Sequence, residues 1–417
     1  MIQLLQRPRV LAIFVSFAVA HFLSVFLRST NAAIAPDLSR DLSLTAAELG
    51  LMTSLYYVCF ALVQLPLGVA LDRFGARRVT SSMMLITVGG CLLFASASSL
   101  ASAALGRALI GVGMATVLMG AMQIFSQWFP SNRVATVSGF MTGLSSLGGM
   151  LASTPLSWMN ETLGWRVIFL SMAPLVLLSA VALVVIVRER KPETPPTQPV
   201  AARTQVGFSQ IFRDSRFWRI GMTCFFLFGT MQAVQSLWAG PYLFDVLRLG
   251  SIEVGNVLLA LNIGLVIGYF NSGWLSDRYG VLPVVIIVGV FFLFCLLSLA
   301  LLGLWMPVSL IMLVLAIFGF CGSFNMVLLS QVRTMFPPEM TGRALTAVNM
   351  LAFVGTALLQ WAMGVIIGLF EPSADGHYPV SAYTTVFLLI AVAFGLALSW
   401  YMTLRREKPV SQSVVAS

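Results

Sequence analysis

An arginine stands 18 residues into an apolar run that begins at Val10. A guanidinium keeps its charge at any physiological pH, and against lipid it would cost about 2.5 to 3.5 kcal/mol on insertion scales. Arg28 must therefore face water or a partner, or snorkel to the aqueous boundary. The chemistry it suits is the capture of an anion, because its planar fork forms a two-pronged hydrogen bond with a carboxylate or a phosphate. His21 and Asn31 share its helical stripe, which takes in positions 21, 24 or 25, 28 and 31 or 32. His21 is either a neutral imidazole hydrogen-bonded between helices or a proton site, since histidine changes charge near physiological pH. A second buried cation, Arg107, heads the run Arg107-x-x-x-Gly111-x-Gly113. It serves either as an interfacial anchor or in proton coupling.

The remaining candidates are neutral. Tyr56 follows a predicted helix start at Ser43-x-Thr45-x-x-Glu48, where Thr45 and Glu48 are spaced for a capping box. Gln123, Gln232, Gln235, Trp238, Asn325 and Asn349 are polar or amphipathic residues set in apolar stretches. An amide in such a place most simply bonds to a neighbouring helix. As a set they suit a hydroxylated or amide-bearing small molecule. The expected substrate site is Arg28, Asn31, Tyr56, Gln123, Gln232, Gln235, Trp238, Asn325 and Asn349. His377, in the last loop, is expected to be merely solvated.

The elements that carry these residues are membrane spans. Of 417 residues, 59% are hydrophobic and 9% charged, against about 25% charged in a soluble protein. Eleven or twelve apolar stretches, each long enough to cross the hydrocarbon, start near residues 10, 47, 79, 103, 134, 165, 217, 252, 281, 306, 343 and 381. The fold class is all-α and transmembrane. The net charge of +9 marks topology and not a nucleic-acid surface. Of the 24 Lys and Arg, all but Arg28, Arg40, Arg107, Arg166 and Arg248 fall on one side if both termini are cytoplasmic, as the positive-inside rule requires. The expected location is a bacterial-type inner membrane. The five cysteines lie singly inside spans and read as packing residues. Met114, Met119 and Met122 read as packing rather than as thioether copper ligands. The sequence holds no nucleophile–base pair, phosphate loop or metal cluster, so neither enzyme chemistry nor a cofactor is expected.

The chain repeats itself. Residues 65–79 read LPLGVALDRFGARRV, and residues 271–283 read NSGWLSDRYGVLP. Asp72 pairs with Asp277 and Arg73 with Arg278 at an offset of 205, and Trp128-Phe129-Pro130 returns as Met335-Phe336-Pro337 at 207. A repeat of half the chain points to two similar halves. The expected division is a six-helix half over 1–188, a linker over 189–215, a second half over 216–404 and a tail over 405–417. Pro192, Pro195, Pro196 and Pro199 exclude a regular helix in the linker. Helix 7 is expected to break at Gly240-Pro241.

The spacing G-x-x-x-D-R-x-G-x-R-R of Gly68, Asp72, Arg73, Gly75, Arg77 and Arg78 resembles the loop between helices 2 and 3 of the major facilitator superfamily. The resemblance covers the whole chain. It implies twelve helices in two pseudo-symmetric halves, working alone and moving a solute by alternating access about a site between helices 1, 4, 7 and 10. It also implies that these residues, with Asp277 and Arg278, form a cytoplasmic gate. Helix 1 is further similar to the organophosphate:phosphate antiporters and the sialin-like anion symporters, which share an Arg eight residues before a Pro, here Arg28 and Pro36. In both, the matching arginine grips the substrate anion. The sialin-like pattern has Asp before the Arg, where this chain has Leu27. The phosphate antiporters have a second Arg in helix 7, where this chain has Gln232, Gln235 and Trp238. One fixed positive charge favours a carboxylate-like anion over a phosphate ester. The resemblance thus implies a proton-coupled carrier of a small organic anion, with His21 or Arg107 coupling protons. Two alternatives stay open: a drug or metabolite efflux antiporter, although helix 5 has Leu144-Ser145-Ser146-Leu147 where drug antiporters have Gly-Pro, and a sensor or assembly subunit that moves nothing.

Overall fold

The computed structural model describes residues 8–189, 208–336 and 338–406. Arg7, Arg190, Lys191, Arg203, the linker prolines and the tail from 407 lie outside them. The first half runs α1 (Pro8–Ser29), α2 (Asn31–Leu42), α3 (Ala46–Phe74), α4 (Ala76–Ala95), α5 (Leu100–Met114), α6 (Val117–Trp128), α7 (Ser131–Ser145), α8 (Leu147–Leu151) and α9 (Thr154–Ile186). After the short α10 (Phe208–Arg213) come α11 (Ser215–Ala233), a π turn (Val234–Trp238) and α12 (Ala239–Leu247). The second half continues with α13 (Ser251–Tyr279), α14 (Val281–Leu301), α15 (Val308–Gly322), α16 (Asn325–Met335), α17 (Pro338–Ile367) and α18 (Val380–Met402).

Among the described residues, eleven helices are long and apolar enough to cross a membrane. One of them is two. Gly164 divides α9 with φ 77° and ψ 155°. The part before Gly164 completes the interrupted fifth crossing begun by α7 and α8, and the part from Trp165 is the sixth. Twelve crossings result, six in each half.

The halves repeat down to their caps. α3 and α13 end on glycines 205 residues apart, Gly75 with φ 83° and Gly280 with φ 85°, a region where a Cβ is strained. Their starts also match. Glu48 accepts the Thr45 N–H at 2.9 Å, and Glu253 accepts the Gly250 N–H at 3.0 Å. Phe129 and Phe336 end α6 and α16 with φ −114° and −115°. The expected break at Gly240-Pro241 is not there, because α12 runs through both residues. The irregularity is the π turn one turn earlier. There the Ala239 N–H reaches back to Val234 O, a bond from i to i−5. The slack this leaves absorbs a proline that has no N–H of its own.

Call the end that holds the loops Asp72–Arg78 and Asp277–Gly280 the basic end, and the opposite one the far end. At the far end the halves are in contact. A Cβ on Gly240 would strike the Ala32 carbonyl, and one on Gly50 would lie 3.0 Å from Gln360 O. The Ala46 N–H donates to Tyr378 Oη at 3.1 Å, and Asn262 Nδ2 donates to Ser153 Oγ at 3.1 Å. Contact persists to mid-depth, where the rings of Phe60 and Phe353 lie 4.6 Å apart and Phe270 meets Gly143. Nearer the basic end nothing lies within 4 Å of where a Cβ would stand on Gly68, Gly139, Gly273 or Gly342. The two halves are therefore shut at the far end and parted at the basic end.

A clasp within the first half fixes the far end of α2. Asp41 accepts from Trp165 Nε1 at 3.0 Å and pairs with Arg166, which also donates to Ala97 O at 3.1 Å. The Trp165 hydrogen bond, aided by Arg166, holds the Asp41 carboxyl below its ordinary range and outweighs its partial burial. A lowered folded value means a stabilising term that is present above the ordinary carboxylate range and is lost as pH falls through the folded value. Asp41→Asn is expected to lower stability at pH 7 by about 0.5 kcal/mol after screening of this half-exposed pair, and by less near pH 3. Thermal scans of both proteins at the two pH values check this.

Candidate functional site

The crossings 1, 4, 7 and 10 are each interrupted. α1 gives way to α2 at Thr30, α5 to α6 at Ala115–Thr116, α11 to α12 at the π turn, and α15 to α16 at Ser323–Phe324. Such breaks free backbone groups for other partners, and they are tolerated in a bilayer only where protein or a cavity receives those groups. At Thr30 the carbonyl of Leu27 accepts the Thr30 hydroxyl at 3.0 Å and Arg107 Nη1 at 2.9 Å. Asn31, buried just past the break, donates to Thr53 Oγ1 at 2.9 Å.

Arg28 sits one residue beyond that doubly bonded carbonyl, about 30 Å along the helix from the start of α1. It is half-buried. Its Nε is buried without a hydrogen-bond partner, and among the described residues it forms no ion pair. Its charge acts on His21, Tyr56 and Tyr57 of the first half and on Tyr269 of the second. Gln232 Nε2 lies 3.5 Å from Tyr57 Oη. Arg28 is thus within charge range of phenols from both halves. His21 is half-buried about 10 Å nearer the basic end, with Nδ1 unpartnered.

Arg107 is no interfacial anchor. It is fully buried, with its guanidinium 5.1 Å from the centre of the Tyr56 ring and 5.9 Å from that of Phe94. Its Nε and Nη2 have no partner. Two cations therefore stand within one turn of the Thr30 break, with no carboxylate paired to either among the described residues. A desolvated, unpaired charge is expensive, so these two guanidiniums favour the approach of an anion.

The other expected site residues divide. Gln235 bonds to Asn262 Oδ1 at 2.7 Å, and Asn262 bonds to Ser153, which makes a seam network rather than a free amide. Trp238 is fully buried, donates to Gln360 O at 2.9 Å, and packs beside Gly50 and Gly364. Asn325 is buried at the start of α16 with Oδ1 unpartnered, and Asn349 is half-buried in α17. Gln123 stands apart, 3.4 Å from Leu71 O beside the basic-end loop. Of the expected gate, Asp72, Arg73, Arg78, Asp277 and Arg278 are exposed and Arg77 is half-buried. Glu189 accepts the Arg77 N–H at 2.7 Å and approaches Gly75. Among the described residues no ion pair joins the two loops. His377 is not merely solvated, because its Nδ1 lies 2.9 Å from Asp245 Oδ1. Tyr269 and the Asp245 partnership went unread, since both depend on residues more than 100 positions away.

The family model described as the Major Facilitator Superfamily matches residues 17–358 and again 241–416. The chain belongs to the major facilitator superfamily. This facilitator is 24% identical to the galacturonate transporter of Dickeya chrysanthemi over 267 residues, which are 59% of this chain and 76% of that protein. It is 25% identical to the gentisate transporter of Corynebacterium glutamicum over 396 residues, 90% of this chain and 84% of that one. Its fold matches the inward-facing, unoccupied structure of a bacterial homolog of the human lysosomal transporter Spinster. The TM-score is 0.77 over 96% of this chain and 98% of that one, at 16% identity. That likeness concerns the fold alone.

Proposed function

We propose that this facilitator carries a small organic anion with one carboxylate across the membrane by alternating access. Arg28 grips the carboxylate, and Tyr56, Tyr57, Gln232 and Tyr269 meet the hydroxyls of the rest of the molecule. The observation that carries the reading is Arg28 itself, unpaired among the described residues beside a helix break and within charge range of phenols from both halves. Galacturonate and gentisate, named for two relatives, each combine one carboxylate with several hydroxyls. The energy source in this reading is a proton gradient used in symport, with His21 or Arg107 in the coupling path. The protein acts as a single chain in a bacterial-type inner membrane, with both termini and the basic end in the cytoplasm. The halves 1–188 and 216–404 rock about the site, and the basic-end loops close when the far end opens.

Purified protein in liposomes tests this. Inward flux of labelled galacturonate or gentisate that rises with an imposed inward proton gradient is expected. Binding with no flux of either acid, under any gradient, would refute the reading and leave a sensor. Flux of a lipophilic cation in exchange for protons would replace it with the efflux reading.

A further inference from the structure

His377 and Tyr378 are neighbours in the loop between α17 and α18, and they hold opposite halves. His377 Nδ1 lies 2.9 Å from Asp245 Oδ1 on α12, and Asp245 Oδ2 accepts the Tyr383 hydroxyl at 2.5 Å. Tyr378 Oη accepts the Ala46 N–H at 3.1 Å. That N–H is one of the free donors at the start of α3 in the first half. The loop therefore staples the two halves together at the shut far end. It does so over a cleft of about 520 Å³ lined from both halves.

We propose that this loop is a far-end latch and that proton uptake by the Asp245–His377 pair locks it. With His377 neutral, its N–H donates to the Asp245 carboxylate. With His377 protonated the same contact joins opposite charges and is stronger. The stiffer loop holds Tyr378 against α3. Besides Asp245, the charged and titratable groups lining the same cleft are Asp37 and Arg40 on α2, Asp375 and Tyr378 in the loop, and Tyr383 on α18. Asp37 is engaged by Asn160 at 2.5 Å and by Arg40 at 3.4 Å, whereas His377 faces Asp245. A proton taken from that side then favours shutting the far end. This rests on the alternating-access reading, and it supplies a second proton site, away from His21.

Spin labels at Ser39→Cys and Ser251→Cys, on opposite walls of the cleft, report its width in a background without the native cysteines. In the wild-type loop the open-cleft population is expected to fall between pH 8 and pH 5.5 by roughly fivefold or more, the low end of coupling between linked sites. His377→Gln should remove the pH response, and Tyr378→Phe should raise the open population at both pH values. A pH response that survives His377→Gln, or an open population unmoved by Tyr378→Phe, overturns the latch while leaving alternating access intact. A single distance that neither pH nor galacturonate changes overturns both.

Discussion

Arg28→Lys is expected to lose most anion binding while the protein folds and inserts as before. Lysine keeps the charge but loses the fork, so a bidentate contact becomes a single one. The loss should be about 2 to 3 kcal/mol, or roughly 30- to 150-fold in affinity. Folding should be spared because Arg28 has no acidic partner to leave behind. Arg28→Gln removes an unpaired, half-buried charge and should raise the midpoint of the empty protein rather than lower it. Thermal shift with galacturonate and gentisate reads both effects at once, since a ligand stabilises only by what it binds. Wild-type ligand shifts in both variants would make Arg28 structural and remove the anion grip.

Gly240→Ala is expected to cut flux by more than about tenfold without unfolding the protein. Its Cβ would strike the Ala32 carbonyl, a contact between halves at the shut far end that the alternating-access reading requires to part. The halves can separate to relieve the clash, so the variant should rest with the far end open. Gly264 against the Ala316 carbonyl is nearly as tight, and Gly111 against the Tyr56 carbonyl is also too close for a Cβ, but each pair lies within one half. There the clash has no rigid-body escape, and overpacking costs about 1 to 3 kcal/mol of stability. Gly111→Ala and Gly264→Ala should therefore lower the melting midpoint, and Gly240→Ala should not. Melting curves and flux on the three variants distinguish a moving interface from a fixed one. Equal loss of stability in all three would mean that the halves do not part at Ala32.

Much of the fold was legible because local chemistry repeats. Glycines with positive φ follow Asp-Arg at both 75 and 280, and the cap at Thr45–Glu48 has its echo at Gly250–Glu253. Local rules read such features directly. The position of Arg28 was legible for a related reason, since a charge that must avoid lipid has few places to go. What could not be read depends on distant partners. Asp245 and His377 are 132 residues apart, and nothing local names Asn262 as the partner of Gln235. Arg107 stayed open between an interfacial anchor and a coupling role because nothing local says that Phe94 and the Leu27 carbonyl will enclose it. Helix 7 was misread because Gly-Pro normally ends a helix, whereas here a widened turn upstream takes up the missing bond.

That widened turn also sets a phase. An α-helix advances 100° per residue, and the π turn admits one extra residue without lengthening the span. Residues 227–240 are buried on every side, so both stretches flanking the turn must point correctly at once. Upstream, Gln232 faces Tyr57 across the seam. Downstream, Gly240 faces Ala32 and Asp245 faces His377 and Tyr383. Were 234–238 wound as a regular α-helix with every residue kept, everything after it would swing through about 100°. Site and latch would each survive as a set of residues, yet they would no longer face their partners together. The widened winding of this segment, more than its composition, is what keeps the two in step.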